Sequence, residues 1–385
     1  MIQKGIGKSE KTNSFQAGRE AAKQALQEAG MENEGDLVIV HSTDGYESYE
    51  ELLKGVREVT GETPLVGTLT GGLITQDEVN EDLNKVAVMV LKSEKIKFTP
   101  IMTENTEDMK EAGKEVASEL SENWPEDAKL LLTFPGGFLP NVNDLFEGLE
   151  ENLPENIPFL GGSSGGTPDF KKTCQFFNDE VKDNAFVCVL FSGDFQYEKE
   201  VTHGGTPLEI SGKVTKAEKN IVKEIDGEPA FKIYEDFADT HQDILYQTSI
   251  CLGTKMGGDV ILRIPLGIQE DGSLVMPTEW SEGTEVFLCH REYNRILKNT
   301  EEKAKKIRER IREKGKEPEL VLQFECLGRA KDVLGLGKSR EIAEVVQENL
   351  VENASWLGWY SYGEVAPVQG KNEFHNWTQV LLAIY

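Results

Sequence analysis

The chain has little that would hold it in a membrane or cross-link it covalently. No apolar run in its 385 residues approaches the roughly 18 residues that span a bilayer, and the N-terminal MIQKGIGKSEK lacks the apolar segment of a signal peptide. Only five cysteines occur, widely spaced and without a C-x-x-C pair: Cys174, Cys188, Cys251, Cys289 and Cys326. This pattern argues against a disulfide framework, a structural zinc site and covalent haem attachment. It predicts a cytoplasmic protein with reduced thiols and no membrane insertion.

Basic charge is also scarce. The chain has 41 Lys and Arg residues against 68 Asp and Glu residues, a formal net charge of -27. Such a balance opposes docking on nucleic-acid phosphates or anionic lipid, so we expect no nucleic-acid partner. The one dense basic run, at 303–316, is interleaved with Glu and is interpreted as a solvated helix face with i,i+4 ion pairs.

The full signatures of phosphate-binding loops are absent from the most glycine-rich stretch, PFLGGSSGG at 158–166. It contains neither G-x-x-x-x-G-K-[ST] nor a G-x-G-x-x-G between a strand and a helix. The same arrangement, P-φ-φ-G-x-x-[ST]-G-G with φ apolar, occurs in PLVGTLTGG at 64–72. We interpret the two segments as internal copies that form a turn, with contact to a ligand as an open alternative.

The surroundings of the two glycine segments repeat as well. A helix is expected over 13–29, before the first copy. The first copy then predicts a strand at 36–42, a helix at 47–59 and a strand at 85–92, and the second predicts a strand at 129–134, a helix at 141–153 and a strand at 184–191. A third, looser copy occupies 319–385, with a helix near 339–351. There Gly358, Ser361 and Gly363 match the glycine pattern, and Tyr362 replaces a glycine.

Residues 205–300, between the second and third copies, are richer in strands, with a helix expected at 230–237 and another around 291–314. Together these patterns predict an α+β fold of mixed β-sheets with helices on their outer faces, stacked sheets being one form of it. A chain of this length also suggests two domains, which we place at 1–215 and 216–385.

Several motifs identify a resemblance to a known family. The late motifs are FECLGR at 324–329, GWYSYGEVAP at 358–367 and EFHNWTQVLL at 373–382, and they follow the glycine segments and KVTKAEKNIVKEIDGEPAFKIYEDF in a fixed order. From about residue 35 to 385 the chain resembles the FIST family, a FIST N domain followed by a FIST C domain.

The resemblance implies an intracellular sensory protein that binds a small ligand, with amino acids as proposed ligands. Because the chain has no output domain of its own, it would act through a separate partner, such as a histidine kinase or a cyclic-dinucleotide enzyme. Some members of the family bind haem and sense nitric oxide. Haem is therefore the alternative cofactor, with His203 or His375 as axial ligand.

An enzyme is the alternative from another class, although we predict that the protein is not one. The histidines, at 41, 203, 241, 290 and 375, belong to no local catalytic signature. A cysteine-dependent hydrolase would use Cys326 beside Arg329, with His375 brought near by the fold. The competing interpretation is a buried strand cysteine.

The predicted ligand site lies at strand ends in the third copy. One strand ends at Cys326 and leads to Arg329, and another ends at Tyr362, Gly363 and Glu364. If the two strands are parallel, their ends meet at one edge of a sheet. Arg329 would then bind the carboxylate of an amino acid and Glu364 its ammonium, unless the two simply pair with each other. His375, Asn376, Ser163 and Ser164 would complete the walls.

Overall fold

Most of the chain is built from three copies of one structural unit. The computed structural model describes residues 2–32, 34–104, 107–166, 171–235, 237, 249–335, 337–351 and 354–385. Each unit runs strand, helix, strand, helix, strand, hairpin, strand. The first comprises β1 (Gln3–Ser9), α1 (Ser14–Ala29), β2 (Leu37–Ser42), α2 (Tyr49–Thr60), β3 (Leu65–Leu69), β4 (Leu73–Thr75), β5 (Glu78–Asn80) and β6 (Val86–Lys92).

The second unit follows without interruption. It comprises β7 (Ile96–Thr103), α3 (Met109–Ser121), β8 (Ala128–Pro135), α4 (Val142–Asn152), β9 (Phe159–Gly162), β10 (Gln175–Phe177), β11 (Glu180–Lys182) and β12 (Phe186–Gly193). Helix α1 begins with a side-chain cap, because Asn13 precedes it and its side chain accepts a hydrogen bond from the backbone N–H of Gln16.

The third unit is split by an insertion. It begins with β13 (Tyr197–Thr202) and resumes with α5 (Tyr293–Glu313), β22 (Leu320–Cys326), a 3₁₀ turn (Leu327–Arg329), α6 (Lys331–Leu334), α7 (Lys338–Leu350), β23 (Ser355–Ser361), β24 (Glu364–Val368), β25 (Lys371–His375) and β26 (Gln379–Ile384). The helices and strands that the sequence predicts for the three copies are confirmed, with bounds that differ by a few residues.

The insertion, residues 203–292, forms a fourth sheet that we call the inserted sheet. It contains β14 (Gly205–Glu218), β15 (Ile221–Ile225), β16 (Glu228–Pro229), β17 (Ile250–Met256), β18 (Asp259–Arg263), β19 (Gly267–Ile268), β20 (Leu274–Val275) and β21 (Glu285–Arg291). The helix expected at 230–237 is a short 3₁₀ segment, Ala230–Tyr234. The expected domain boundary between 215 and 216 lies inside β14.

Strand order confirms that the units are copies. The first four strands of each sheet lie in the orders β1-β6-β2-β3, β7-β12-β8-β9 and β13-β26-β22-β23. In each sheet the two strands joined by the inner helix are parallel: β2 with β3, β8 with β9, and β22 with β23. The α+β class and the internal repeats predicted from the sequence are therefore correct.

Each unit gives its hairpin to a neighbouring sheet, which the sequence did not predict. The hairpin β4–β5 joins the third sheet beside β23, β10–β11 joins the first beside β3, and β24–β25 joins the second beside β9. The glycine segments permit the crossing, since a Cβ atom on Gly71 would lie 2.9 Å from the carbonyl oxygen of Gly166. The three sheets are thereby linked into a closed ring.

The ring encloses one apolar core and carries its helices outside. Inward-facing side chains of all three sheets form a single cluster that includes Ile39, Leu132, Leu322 and Trp359. The outer faces are covered in pairs, by α1 and α2, by α3 and α4, and by α5 and α7, each pair with its own apolar cluster. Among the helices of the described residues, none has the length and apolar character needed to cross a membrane.

The basic run at 303–316 is only partly a solvated face. Lys305 forms an ion pair of the expected i,i+4 type with Glu301. The other face of α5 is directed at β13, where Lys303, Lys306 and Arg310 contact Glu200. The basic residues therefore help to attach α5 to its own sheet.

The fourth residue of each glycine segment is a glycine because two parallel strands approach closely there. A Cβ atom would lie 1.9 Å from Val40 O at Gly67 and 2.0 Å from Thr133 O at Gly161. We expect Gly161→Ala to destabilise the protein by about 1–3 kcal/mol, as overpacking does. Gly267→Ala, whose Cβ would meet only Val275 at 3.7 Å, is the control. Denaturant unfolding measures both, and equal midpoints would contradict this account.

Candidate functional site

All nine predicted ligand-binding residues are in the interior. They gather where the third unit meets the second, and all nine are buried: Ser163, Ser164, Cys326, Arg329, Tyr362, Gly363, Glu364, His375 and Asn376. The predicted parallel pairing of β22 with β23 brings Cys326 opposite Ser361. Glu364 does not end β23, however. It opens β24, which pairs with β9 of the second sheet.

Arg329 has a buried acidic partner within its own segment. Its Nε lies 2.7 Å from Oε1 of Glu325, as an ion pair without the alignment of a hydrogen bond. Nη2 donates to Thr300 Oγ1 on α5 at 2.8 Å. The alternative in which Arg329 pairs with Glu364 is therefore wrong, because Arg329 extends towards α5 instead.

Glu325 is held by a network that, among the described residues, is found in the third unit and not in the other two. Its Oε2 accepts hydrogen bonds from Gln323 Nε2 at 2.9 Å and from Gln379 Nε2 at 2.6 Å. Strand register places these three residues at positions that are mostly apolar in the other units, namely Val40, Ser42 and Val86 in the first and Thr133, Pro135 and Phe186 in the second. The third unit has thus acquired buried polar groups on a common framework.

Glu364 forms a second buried polar cluster. Oε1 accepts from Ser361 Oγ at 2.8 Å, and Oε2 accepts from Thr378 Oγ1 at 2.6 Å and Thr378 N at 3.2 Å. Burial raises the pKa of this carboxyl to about 8, because desolvation outweighs these hydrogen bonds. The buried guanidinium of Arg291 adds positive charge to the neighbourhood.

The side chains considered for catalysis or haem ligation are uncharged and already contact backbone groups. Burial raises the pKa of the Cys326 thiol, whose sulfur accepts from Trp377 N at 3.2 Å. Burial lowers the pKa of His375 to about 3, and its Nε2 lies 3.0 Å from Ala366 O. Burial also lowers the pKa of His203 to about 4, and its Nδ1 accepts from Gly205 N at 3.1 Å. His241 lies outside the described residues.

The serines of the second glycine segment bond to backbone groups. Ser164 Oγ donates to Leu69 O at 3.2 Å and to Cys174 O at 2.9 Å, and Ser163 N donates to Gly363 O at 2.8 Å. Asn376 Nδ2 lies 3.5 Å from Tyr362 O. These contacts join the three units and give the segment a structural role, while its contact with a ligand stays a prediction.

An open cleft lies where the turns of the three units meet. It has a volume of about 40 Å³ and is lined by Thr43, Asp44, Thr70, Gly71, Glu81, Asp82 and Leu83 of the first unit, Gly166 of the second, and Leu327, Ala330 and Asp332 of the third. Four of these side chains are carboxylates. Burial raises the pKa of Glu81, which accepts a hydrogen bond from Lys331 N at 2.6 Å.

Sequence reasoning missed this cleft. The loop between β5 and β6, which carries Glu81, Asp82 and Leu83, belongs in sequence to the first unit but lies against the third, next to Leu327. The acidic loop EVNEDL at 78–83 was the available signal. Within the described ranges, no group of three His, Cys, Asp or Glu side chains is arranged to hold a metal ion.

Removing Arg329 tests whether it is structural. Because Arg329→Gln would leave Glu325 buried without its cation, we expect the free energy of unfolding to fall by about 3–5 kcal/mol. Arg340→Gln, which breaks an exposed pair with Glu344, should cost at most about 1 kcal/mol. Chemical denaturation compares the two variants. A stable Arg329→Gln protein would contradict the structural role of the pair Arg329–Glu325.

The raised pKa of Glu364 predicts a pH dependence of stability. A carboxyl whose pKa is higher in the folded than in the unfolded protein stabilises the fold below pH 4.5, and this stability is lost as pH rises through about 8. The loss amounts to at most about 5 kcal/mol. Glu364→Gln should remove this contribution, so the difference in unfolding free energy between variant and wild type should change between pH 5 and pH 8.5. A constant difference would contradict the assignment.

Comparisons with known proteins agree with the repeated architecture and motifs. The FIST N domain matches residues 36–228 and the FIST C domain matches residues 230–367. An uncharacterized protein of Methanocaldococcus jannaschii is 24% identical over 382 residues, which covers 88% of this chain and 71% of that protein.

Two solved structures show distant similarity to the chain. A chorismatase crystal structure aligns at 8% identity with a TM-score of 0.35, covering 90% of this chain and 92% of that one. A cyanuric acid hydrolase from A. caulinodans aligns at 9% identity with a TM-score of 0.27, covering 50% of this chain and 71% of the hydrolase. The two domain matches together span most of the sequence, and the chain belongs to the FIST family.

Proposed function

We propose that the protein is a sensor that binds a small amine, such as an amino acid, in the cleft between the three units. The observation that carries this proposal is the convergence of loop residues from all three units on one open, acidic space. Family membership supports a role in sensing and signal transduction.

The chemistry of the cleft favours a ligand with a positive charge. Asp44, Glu81, Asp82 and Asp332 line it together with the apolar side chains of Leu83, Leu327 and Ala330. Asp82 forms an ion pair with Lys331 at 2.7 Å, and Asp44 forms one with Lys172 at 3.6 Å, so part of the negative charge is already compensated. An ammonium group beside the remaining carboxylates, with a short aliphatic part against the leucines, fits this lining.

In this proposal the residues first predicted as ligand contacts support the cleft from behind. Leu327 and Ala330 flank Arg329 in the chain, and the pair Arg329–Glu325 fixes the turn that carries them. The amino-acid ligand is thereby retained, while its binding position moves from the buried Arg329 and Glu364 to the cleft surface.

Signalling would pass to a separate protein. A histidine kinase or a cyclic-dinucleotide enzyme remains the proposed class of partner. The haem and hydrolase alternatives have no observation in their favour, because the buried imidazoles of His203 and His375 already contact backbone groups and the pKa of the Cys326 thiol is raised.

Thermal shift measurements with matched ligand pairs test the proposal. We expect alanine or a short primary amine to raise the melting temperature, and propionate, which lacks the amine, to leave it unchanged. Saturation at about 100 times Kd corresponds to a stabilisation of about 2.7 kcal/mol. The double variant Asp44→Asn, Asp332→Asn should lose this response, whereas Glu344→Gln, on the exposed face of α7, should retain it. A full response in the double variant, or no response to any amine in the wild type, would refute the proposal.

A further inference from the structure

The loop before the last strand of each unit contains one residue with a left-handed backbone. Asn84, Asn184 and Trp377 each stand two residues before that strand, with φ of 58°, 62° and 63°. The three loops are also fastened alike, since Thr43 N bonds to Lys85 O, Gly136 N to Ala185 O and Cys326 N to Thr378 O. Trp377 therefore occupies the position of an asparagine in the other two units.

Asparagine suits this conformation and tryptophan does not. Asn adopts the left-handed region readily, and Asn184 Oδ1 accepts a hydrogen bond from Phe138 N at 3.0 Å. A bulky residue with positive φ is a backbone outlier that persists only where surrounding contacts impose it. The contacts of the Trp377 ring must therefore offset the unfavourable backbone.

Those contacts join two parts of the molecule. On one side the ring presses on the turn after β22, where a Cβ atom on Gly328 would lie 2.4 Å from ring atoms. On the other side the ring packs in a cluster with Cys251, Leu262 and Cys289 of the inserted sheet. The guanidinium carbon of Arg291, at the end of β21, lies 3.8 Å from the ring centroid.

We propose that Trp377 is a mechanical coupler between the cleft and the inserted sheet. Gly328 lies between Leu327 and Ala330, two residues of the cleft wall. A displacement of that wall meets the ring directly, and the ring transmits it to β17 and β21. The link to a ligand rests on the proposed function, whereas the coupling itself is a property of the fold.

Hydrogen exchange measured by mass spectrometry on the full chain, without ligand, tests the coupling. Trp377→Asn introduces the residue of the other two units, and we expect exchange in β17 and β21 to accelerate at least tenfold while β2 and β8 stay unchanged. Arg291→Met, which keeps bulk over the ring but removes the charge, should act in the same direction more weakly. Asn184→Ala, at the same loop position in the second unit, should leave the inserted sheet unaffected.

In a second experiment, a substitution that fills the cleft takes the place of a bound ligand. Asp332→Trp should alter exchange in β17 and β21 in the wild-type background and have no effect there once Trp377 is asparagine. Three results would overturn the proposal. The first is unchanged exchange in the inserted sheet of Trp377→Asn, and the second is uniform acceleration of exchange in all four sheets. The third is an effect of Asp332→Trp on exchange that is equal in both backgrounds or absent from both. None of these outcomes depends on whether an amine binds, so failure of the proposed function is distinguished from failure of the coupling.

Discussion

The close approach of backbone to backbone at the glycine segments is the constraint on which the architecture depends. At Gly67 and Gly161 the neighbouring strand leaves no room for a side chain. A few residues after each of these glycines, the backbone crosses into the adjacent sheet. Ser164 and Thr70 bond to the carbonyl groups at these crossings, for example Thr70 Oγ1 to Tyr360 O at 2.7 Å. Because every sheet is completed by a hairpin from another unit, none of the three can form its full complement of strands alone.

Specialisation is concentrated in the third unit. The first two units fill the equivalent strand positions largely with apolar or small residues, while the third buries Gln323, Glu325 and Gln379 beneath α5. Buried ionic groups generally add little net stability, since desolvation offsets their attraction. Their presence in the third unit suggests that they specify the shape of the turn at Leu327–Arg329, beside the cleft.

The sequence predicted the repeated elements well because strand and helix periodicity and the spacing of the glycine segments are local properties. It did not predict the hairpin exchange, since turn residues such as Gly71 and Gly72 indicate that the chain reverses and not which sheet it joins. The same lack of information about long-range contacts applies to the predicted site. The sequence predicts Arg329 at a strand edge facing Glu364, whereas a 3₁₀ turn directs its side chain back to Glu325. Glu81 was overlooked because its neighbours in space lie in the third unit.

The exchanged hairpin of the first unit has a consequence for synthesis on the ribosome. Strand β4, with Leu73 and Ile74, pairs with β23, which begins only at Ser355. During translation the first sheet at first lacks β10. The hairpin β4–β5 of the first unit stays exposed until β23 has emerged from the ribosome. Such long-range pairing slows folding and exposes strand edges to aggregation. The nascent chain should therefore depend on chaperones until its last strands are made.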